Sequence, residues 1–209
     1  MAQKDVGNKI PIYKLKTTDE VMKYYDEWGI KNKYDQDMID WNYTGPKETV
    51  ATFIKYAQDK NIKILDAGCG TGLVGIELKK HNYLNIDGMD LSKKLLDLVP
   101  QGYYQNLDQV DLNKPIKVKS DTYDAIMCVG TFTFGHVKPH ALDEFIRISK
   151  NKSLICFTIN EGIYEKYGFD NKIKELSNNK LWNVKEFFKS DYIASKDVNA
   201  WLCLAEVIK

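Results

Sequence analysis

Residues 64 to 75, ILDAGCGTGLVG, place a short apolar run, an acid at its end and three alternating glycines in front of a helical pattern. A segment of this kind is a buried strand that turns through glycines into a helix start, and it commits the chain to an α/β fold whose loop holds a charged small molecule. Two fingerprints overlap in it. Gly70, Gly72 and Gly75 satisfy the GxGxxG pattern of dinucleotide folds, while Asp66, Gly68, Gly70 and Gly72 satisfy a DxGxGxG loop. The rest of the chain has to discriminate between them.

Upstream of the loop the pattern is helical. Val21, Tyr24, Tyr25 and Trp28 fall at helix spacing over residues 18 to 28, with Thr18 or Asp19 placed as N-cap. Residues 34 to 42 suit a second short helix, and Pro46 fits the first turn of a third that runs to about residue 60. Residues 1 to 17 lack periodicity and read as a loose arm. Downstream, strands at 63–67, 85–90, 103–107, 123–130 and 153–159 alternate with helices at about 73–81, 92–99 and 139–150. Repeated βα units of this length imply a parallel sheet with helices on both faces, and the handedness of crossovers leaves few topologies. The end breaks the alternation. After a helical stretch at 161–178, LWNVKEFFKSDYI and NAWLCLAEVIK are two strand-like segments joined by a polar turn at 195–199, too short a link for a parallel pair. The expected architecture is a single domain over residues 1 to 209, with an arm and helical cap to residue 60 and an α/β core from residue 61.

Composition removes several classes of function. At 209 residues and 44% hydrophobic content the chain can bury a substantial core. Thirty basic residues against twenty-nine acidic ones give a net charge of +1, with the lysines interspersed among acids, so a nucleic-acid partner is disfavoured. Cys69, Cys128, Cys156 and Cys203 have no CxxC spacing and read as buried free thiols of a reducing compartment, with neither a disulfide framework nor a metal site. The N-terminus lacks a signal-peptide core and no segment approaches the length of a membrane span. A soluble cytoplasmic protein without a membrane partner is the expectation.

The loop's chemistry separates the two fingerprints. A dinucleotide brings a pyrophosphate to the helix start, and the carboxylate of Asp66 at the strand end would repel it. S-Adenosylmethionine reverses the sign, because its ammonium and sulfonium are cationic and an acid at the loop entrance attracts them. On this reading Asp66 is the informative residue and Gly75 the incidental one. Asp90, ending the second strand in GMDLS, is placed to accept from ribose hydroxyls, which serves either cofactor. Asp111 in VDLNKP can accept from the exocyclic amine of adenine, and Leu112 can offer its N–H to the ring. Each acid also has a plainer reading: a turn at Asp66, a helix start at Asp90 with Ser92, and an Asx turn at Asp111 before Pro115.

With these residues in place, the chain resembles the class I S-adenosylmethionine-dependent methyltransferases, in particular the methyltransferase-like family of the Williams-Beuren syndrome region. The resemblance spans roughly residues 24 to 160 and rests on YYDEWGIKNKYDQDM, NYTGPK, ILDAGCGTGLVG, GMDLS, DLNKP, YDAIMCVGTFTFGHV and ALDEF. The glycine loop is common to a large superfamily; the YDxWxxxxxYDQD segment with its later GP is much more specific. The resemblance implies a Rossmann-like seven-stranded sheet, mostly parallel with an antiparallel C-terminal strand. It also implies cofactor contacts at Asp66, Gly68, Gly70, Gly72, Asp90, Leu91, Asp111, Leu112 and Val129, and N-terminal helices that close over the cofactor with Tyr34 in contact. Where relatives carry KPGG after the penultimate helix, this chain has KNKSL, a change in a turn remote from the cofactor.

The acceptor is read from the residues after the fourth strand. CVGTFTFGHV contains no (D/N/S)PP(Y/F) motif, no Pro-Cys pair and no acid cluster, which argues against adenine or glutamine amides, cytosine C5 and magnesium-bound catecholates. A small-molecule acceptor held by the cap remains. His136 is the candidate general base, against the alternative that it only hydrogen-bonds its turn. Tyr24, Tyr25, Trp28, Phe132 and Phe134 are candidate walls of the acceptor pocket, and Glu161, Tyr164, Tyr167 and Phe169 candidates to complete the cap. Two other function classes stay open on the sequence: an NAD(P)-dependent oxidoreductase reading GTGLVG, and a non-catalytic S-adenosylmethionine-binding regulatory protein.

Overall fold

The structure, a computed structural model, describes residues 10–15, 17–28 and 33–209, the side chains of residues 12, 13, 18, 19 and 26 excepted. Most of the arm at 1–17 therefore lies outside the described residues, although Ile10 is buried and Pro11–Lys14 form a 3-10 turn.

Three cap helices come first: α1 (Thr18–Trp28), α2 (Lys33–Asp40) and α3 (Gly45–Phe53). Thr17 caps α1 instead of Thr18 or Asp19. The Glu20 N–H donates to Thr17 Oγ1 at 3.2 Å and the Thr17 N–H to Glu20 Oε2 at 3.1 Å, which is a capping box that satisfies two end donors. Helix α3 stops at Phe53, short of the expected residue 60. The N–H groups of Lys55 and Tyr56 bond three residues back, to Thr52 and Phe53, and the Ala57 carbonyl accepts from the Tyr83 hydroxyl.

The core follows as β1 (Ile64–Ala67), α4 (Leu73–Lys80), β2 (Ile86–Asp90), α5 (Lys93–Leu96), β3 (Asn106–Gln109), β4 (Tyr123–Phe132), α6 (Ala141–Ile148), β5 (Ser149–Asn160), α7 (Phe169–Asn178), β6 (Trp182–Ile193) and β7 (Val198–Val207). The seven strands form one sheet in the order β3-β2-β1-β4-β5-β7-β6. Pairs from β3 through β5 are parallel, and β7 runs antiparallel to both β5 and β6. Strand β3 begins later than the expected 103–107, because Tyr104 turns inward beneath the glycine loop and leaves Asn106–Gln109 to pair at the sheet edge. Helix α7 begins only at Phe169; residues 161–168 are turns.

Alternation along the strands builds two cores. Ile64, Ala125, Met127, Leu154, Cys156, Leu202 and Leu204 face Val50 and Phe53 of α3 and Val74 and Leu78 of α4. Their neighbours Leu65, Ile126, Cys128, Ile155, Phe157, Cys203 and Ala205 face Phe145 of α6 and Leu176 of α7. The four cysteines belong to this buried interior as free thiols. Each fully buried large side chain contributes about 1.5–3 kcal/mol. Val21, Trp28 and Met38 of the cap join the second cluster, so the cap packs as an extension of the core. The turn after α2 is also tied to the far end of the chain: Tyr43 bridges Ile193, and the Thr44 N–H donates to the Tyr192 carbonyl at 3.1 Å. Among the described residues no helix is long and apolar enough to cross a membrane.

Candidate active site

The C-terminal ends of β1, β2 and β4 open into a cavity of about 700 Å3. The loop after β1 is stitched to the end of β2. The N–H groups of Gly68 and Cys69 donate to the Met89 carbonyl at 2.7 and 3.0 Å, and that of Gly70 to Asp90 Oδ2 at 2.8 Å. A Cβ on Gly68 would lie 2.0 Å from Thr131 Oγ1, so only glycine lets the loop lie against β4. At Gly70 the nearest atom to a Cβ would be the Tyr34 hydroxyl at 4.0 Å, which leaves bare backbone facing open space.

Nine of the expected cofactor and catalytic residues line this one cavity: Tyr34, Gly68, Gly70, Asp90, Leu91, Asp111, Leu112, Val129 and His136. Asp90 accepts from the Gly70 N–H and, through Oδ1, from the Ser92 N–H at 2.8 Å. Burial raises its carboxyl above the ordinary value, against the pull of amide donors from Ser92, Gly70 and Leu91. The plainer reading of Asp111 is present in the structure. Its Oδ1 accepts from the Asn113 N–H at 3.0 Å, the Asx turn, while the residue also lines the cavity.

Three expectations need correcting. Asp66 does not face the cavity: it is fully buried, and its Oδ2 accepts from the Tyr104 hydroxyl at 2.6 Å. The Tyr104 oxygen in turn accepts from the Gly75 N–H at 3.0 Å. Burial pushes the Asp66 carboxyl up to about 7, with the Tyr104 hydrogen bond opposing and the Asp90 charge adding to the rise. Its Oδ1 has no partner among the described residues. Asp66 therefore braces the loop from beneath and does not attract a ligand by contact. Gly75 is not incidental either, because a Cβ there would stand 2.4 Å from the Tyr104 hydroxyl oxygen. Gly72 is the N-cap of α4 and is not part of the lining.

His136 is a half-buried neutral imidazole. Its Nδ1 lies 2.5 Å from the Phe134 carbonyl and must carry the proton, which leaves Nε2 to accept from the Tyr25 hydroxyl at 2.9 Å. Burial lowers its pKa to about 4, the Phe134 carbonyl opposing and Lys138 assisting. The hydrogen bond to the turn, the plainer reading, is thus present, and the ring edge reaches the cavity as well.

Of the expected pocket walls, Tyr25 lines the main cavity, and Tyr25 and Trp28 line a second one of about 390 Å3 beside it. Phe132 is packed against Phe145, Phe157 and Phe169 in the core instead, and Phe134 lies edge-on to Tyr167. Tyr24 packs edge-on against Trp28 and lines neither cavity. The segment after β5 does not complete the cap. Glu161 is held by the Asn199 N–H at 2.9 Å and Lys189 at 2.7 Å, and Tyr164 packs on Phe187 and Trp201. Trp41, Tyr43, Tyr192 and Thr133 line the second cavity unforeseen, since the turn after α2 and the end of β6 meet only in the fold.

Two carboxylates, Asp90 and Asp111, line the main cavity, and no lysine or arginine does so among the described residues. Asp111 is ion-paired with Lys114 at 3.2 Å, so the carboxylate of Asp90 is the one that suits a cationic ligand and opposes a pyrophosphate. The apolar side chains of Leu91, Leu112 and Val129 flank the acids, as an adenine ring requires, and the bare backbone at Gly70 admits close approach. The residues present fit S-adenosylmethionine.

The sheet with β7 inserted antiparallel, and this acid-lined cavity over a glycine loop, have the arrangement of class I S-adenosylmethionine-dependent methyltransferases, to which the chain is similar in fold. Residues 64–152 match the family described as methyltransferase domain. It is 32% identical over 141 residues to human methyltransferase-like protein 27, covering 66% of this chain and 56% of the relative. It is 30% identical over 109 residues to zebrafish EEF1A lysine methyltransferase 2, covering 47% and 46%. The matched part spans about half the length of these curated relatives. In fold it is similar to magnesium protoporphyrin IX methyltransferase of Synechocystis, solved with bound S-adenosylmethionine, with a TM-score of 0.59, 14% identity, and 77% of each chain covered.

Proposed function

We propose that the protein transfers a methyl group from S-adenosylmethionine to a small-molecule acceptor in the cytoplasm. The observation that carries this reading is the pairing of the acid-lined cavity with a second, apolar cavity that shares Tyr25, Tyr34 and Gly130 with it. Four buried free thiols agree with a reducing compartment.

When bound, the cofactor supplies an electrophilic methyl group on a sulfonium. The protein's part is positioning. Asp90 accepts from the ribose hydroxyls, Asp111 and the Leu112 N–H address the adenine, and Tyr34 closes over the Gly70 backbone. The cap excludes water, which strengthens each polar contact and lets a nucleophile be held in line with the methyl group. His136 keeps its general-base role in a narrower form: its Nε2 lone pair faces the Tyr25 hydroxyl, so a proton leaving the acceptor would pass through that hydroxyl.

Calorimetric titration with S-adenosylmethionine and S-adenosylhomocysteine tests the cofactor, and the absence of heat and of thermal shift with both would sink the reading. Acceptor-dependent formation of S-adenosylhomocysteine tests turnover; cofactor binding without it in any small-molecule or protein fraction would favour a regulatory role. A protein acceptor is the second reading, favoured by the protein-lysine activity in the name of the zebrafish relative, and the protein fraction is its test.

A further inference from the structure

The second cavity has an unusual wall. Six aromatic side chains line it: Tyr25, Trp28, Tyr34, Trp41, Tyr43 and Tyr192. No charged side chain does so among the described residues. Tyr25 and Trp28 are stacked, 5.9 Å apart at 21°, and the other pairs are inclined to one another. Trp28 lies 5.0 Å from Tyr34 at 75° and 5.5 Å from Trp41 at 47°, and Tyr43 lies 5.0 Å from Tyr192 at 87°. Such a box offers π faces from several directions, the arrangement that attracts a cation. Asp37 sharpens it, since Trp28 Nε1–H donates to Asp37 Oδ2 at 2.5 Å, which fixes the indole and adds electron density to its ring. Trp41 already meets one ammonium, Lys196 Nζ at 5.4 Å from its centroid.

Two further observations point to an occupant. Thr133 lines this cavity, and its buried Oγ1 has no hydrogen-bond partner among the described residues. A hydroxyl left so in an apolar box is matched by a ligand with a polar hydrogen. Gly130 lies where the two cavities meet: with a φ of +80° it is in the region that favours glycine, and a Cβ there would stand 2.7 Å from the Tyr43 hydroxyl. The junction is kept open by the missing side chain.

We propose that this aromatic box is the acceptor subsite and that the acceptor is an alkylamine, methylated on nitrogen. The inference rests on the methyltransferase reading and names its substrate class. In the transfer the nitrogen lone pair forms the new N–C bond while the C–S bond breaks with its electrons going to sulfur. The positive charge thereby passes to nitrogen, inside the box, and the amine proton then leaves through the Tyr25 hydroxyl, which lines both cavities and is hydrogen-bonded to His136 Nε2. Rings that bind a cation stabilise that shift more than the starting state, which is what lowers a barrier. A phenol or alcohol would have to be deprotonated first, which sets a negatively charged oxygen against the same π faces before transfer, with no lysine or arginine lining the cavity among the described residues to meet it.

The test uses the protein saturated with S-adenosylhomocysteine, titrated with choline and with the neutral alcohol in which a tert-butyl group replaces the trimethylammonium. Choline is expected to bind about tenfold more tightly than its isostere. Trp41→Leu is expected to bring the ratio near one, and Trp41→Phe to keep most of it. In case Trp41→Leu fails to fold, the choline methyl proton resonances on the unaltered protein provide a second readout, expected to shift upfield from ring currents. Equal affinities, or a preference for the neutral isostere, would overturn the amine assignment while S-adenosylhomocysteine binding still upheld the cofactor reading. Failure to bind S-adenosylhomocysteine at all would instead remove the reading beneath it. Methyl transfer to alcohols but not to amines would also overturn the assignment.

Discussion

The Tyr104 hydroxyl donates to Asp66 Oδ2 at 2.6 Å, and through its oxygen accepts from the Gly75 N–H at 3.0 Å. This short chain joins the end of β1 to the first turn of α4 from beneath the glycine loop, so the loop is fixed by its underside before any ligand meets its upper face. Tyr104→Phe removes both bonds and leaves the Asp66 carboxyl without a partner. The expected cost is about 1–3 kcal/mol, the range for stranding a buried polar group, and it should be larger at pH 8, where Asp66 is ionised, than at pH 5. Urea unfolding at the two pH values measures it, and a loss identical at both would mean that the tyrosine does not answer to the carboxyl's charge.

Asp66 and His136 should pull stability in opposite directions as pH changes. The Asp66 carboxyl titrates near 7 in the folded protein against 3.8 for the free group, so the folded state holds its proton longer and stability declines as pH rises from about 4 to about 7. His136 titrates near 4 against 6.5, so the folded state resists its proton and stability declines as pH falls from 6.5 to about 4. In Asp66→Asn only the histidine slope remains of the two. The variant's stability relative to the unaltered protein should therefore grow with pH and level off above about 7. A difference that is flat across this window would show that Asp66 titrates as an ordinary carboxyl.

Gly75 matters here through contact. Alanine would place its Cβ 2.4 Å from both the hydroxyl oxygen and Cζ of Tyr104, so Gly75→Ala must displace the ring. Overpacking of this kind costs about 1–3 kcal/mol. In a Tyr104→Ala background the same substitution has nothing to displace, and a double-mutant cycle should return a coupling of about 0.5–3 kcal/mol. Additive losses would place the strain elsewhere.

Local period and turn chemistry made the sheet legible in advance, because apolar alternation and glycine turns act within a few residues. The antiparallel ending came from the short link at 195–199 alone. Tyr104 was not legible as a brace: GYY after a helix is equally good strand sequence, and only the approach of its ring to Gly72, Gly75 and Gly88 removes it from β3. Asp66 was misplaced for a related reason. An acid at a strand end can point up to a ligand or sideways into the core, and strand parity here puts it on the face of Ile64, beneath α4. The cavity acids Asp90 and Asp111 were legible because they lie at or beyond the strand ends, where parity matters less. The aromatic box was only half visible. Tyr25 and Trp28 lie on one helix face, whereas Tyr192 reaches them through the bridge between Tyr43 and Ile193, about 150 residues apart in sequence.

Asp90 is where cofactor affinity should be most sensitive to a single atom change. Its Oδ2 accepts from the Gly70 N–H and its Oδ1 from the Ser92 N–H, and the carboxylate keeps acceptor capacity for a ligand hydroxyl. Asp90→Ala loses both the ligand contact and the clip on the glycine loop, and should weaken S-adenosylhomocysteine binding by about 1.5–3 kcal/mol, roughly 10- to 150-fold. Asp90→Asn keeps one acceptor for an amide and should fall between the two. Because burial raises the Asp90 carboxyl and binding uses its ionised form, affinity should also drop on acidification at a higher pH than an exposed aspartate would give. Calorimetry of the three proteins from pH 5 to 8 measures this, with thermal unfolding of the free proteins to separate loop loosening from ligand contact. An Asp90→Ala protein that binds as tightly as the original would place the ribose against another residue of the cavity.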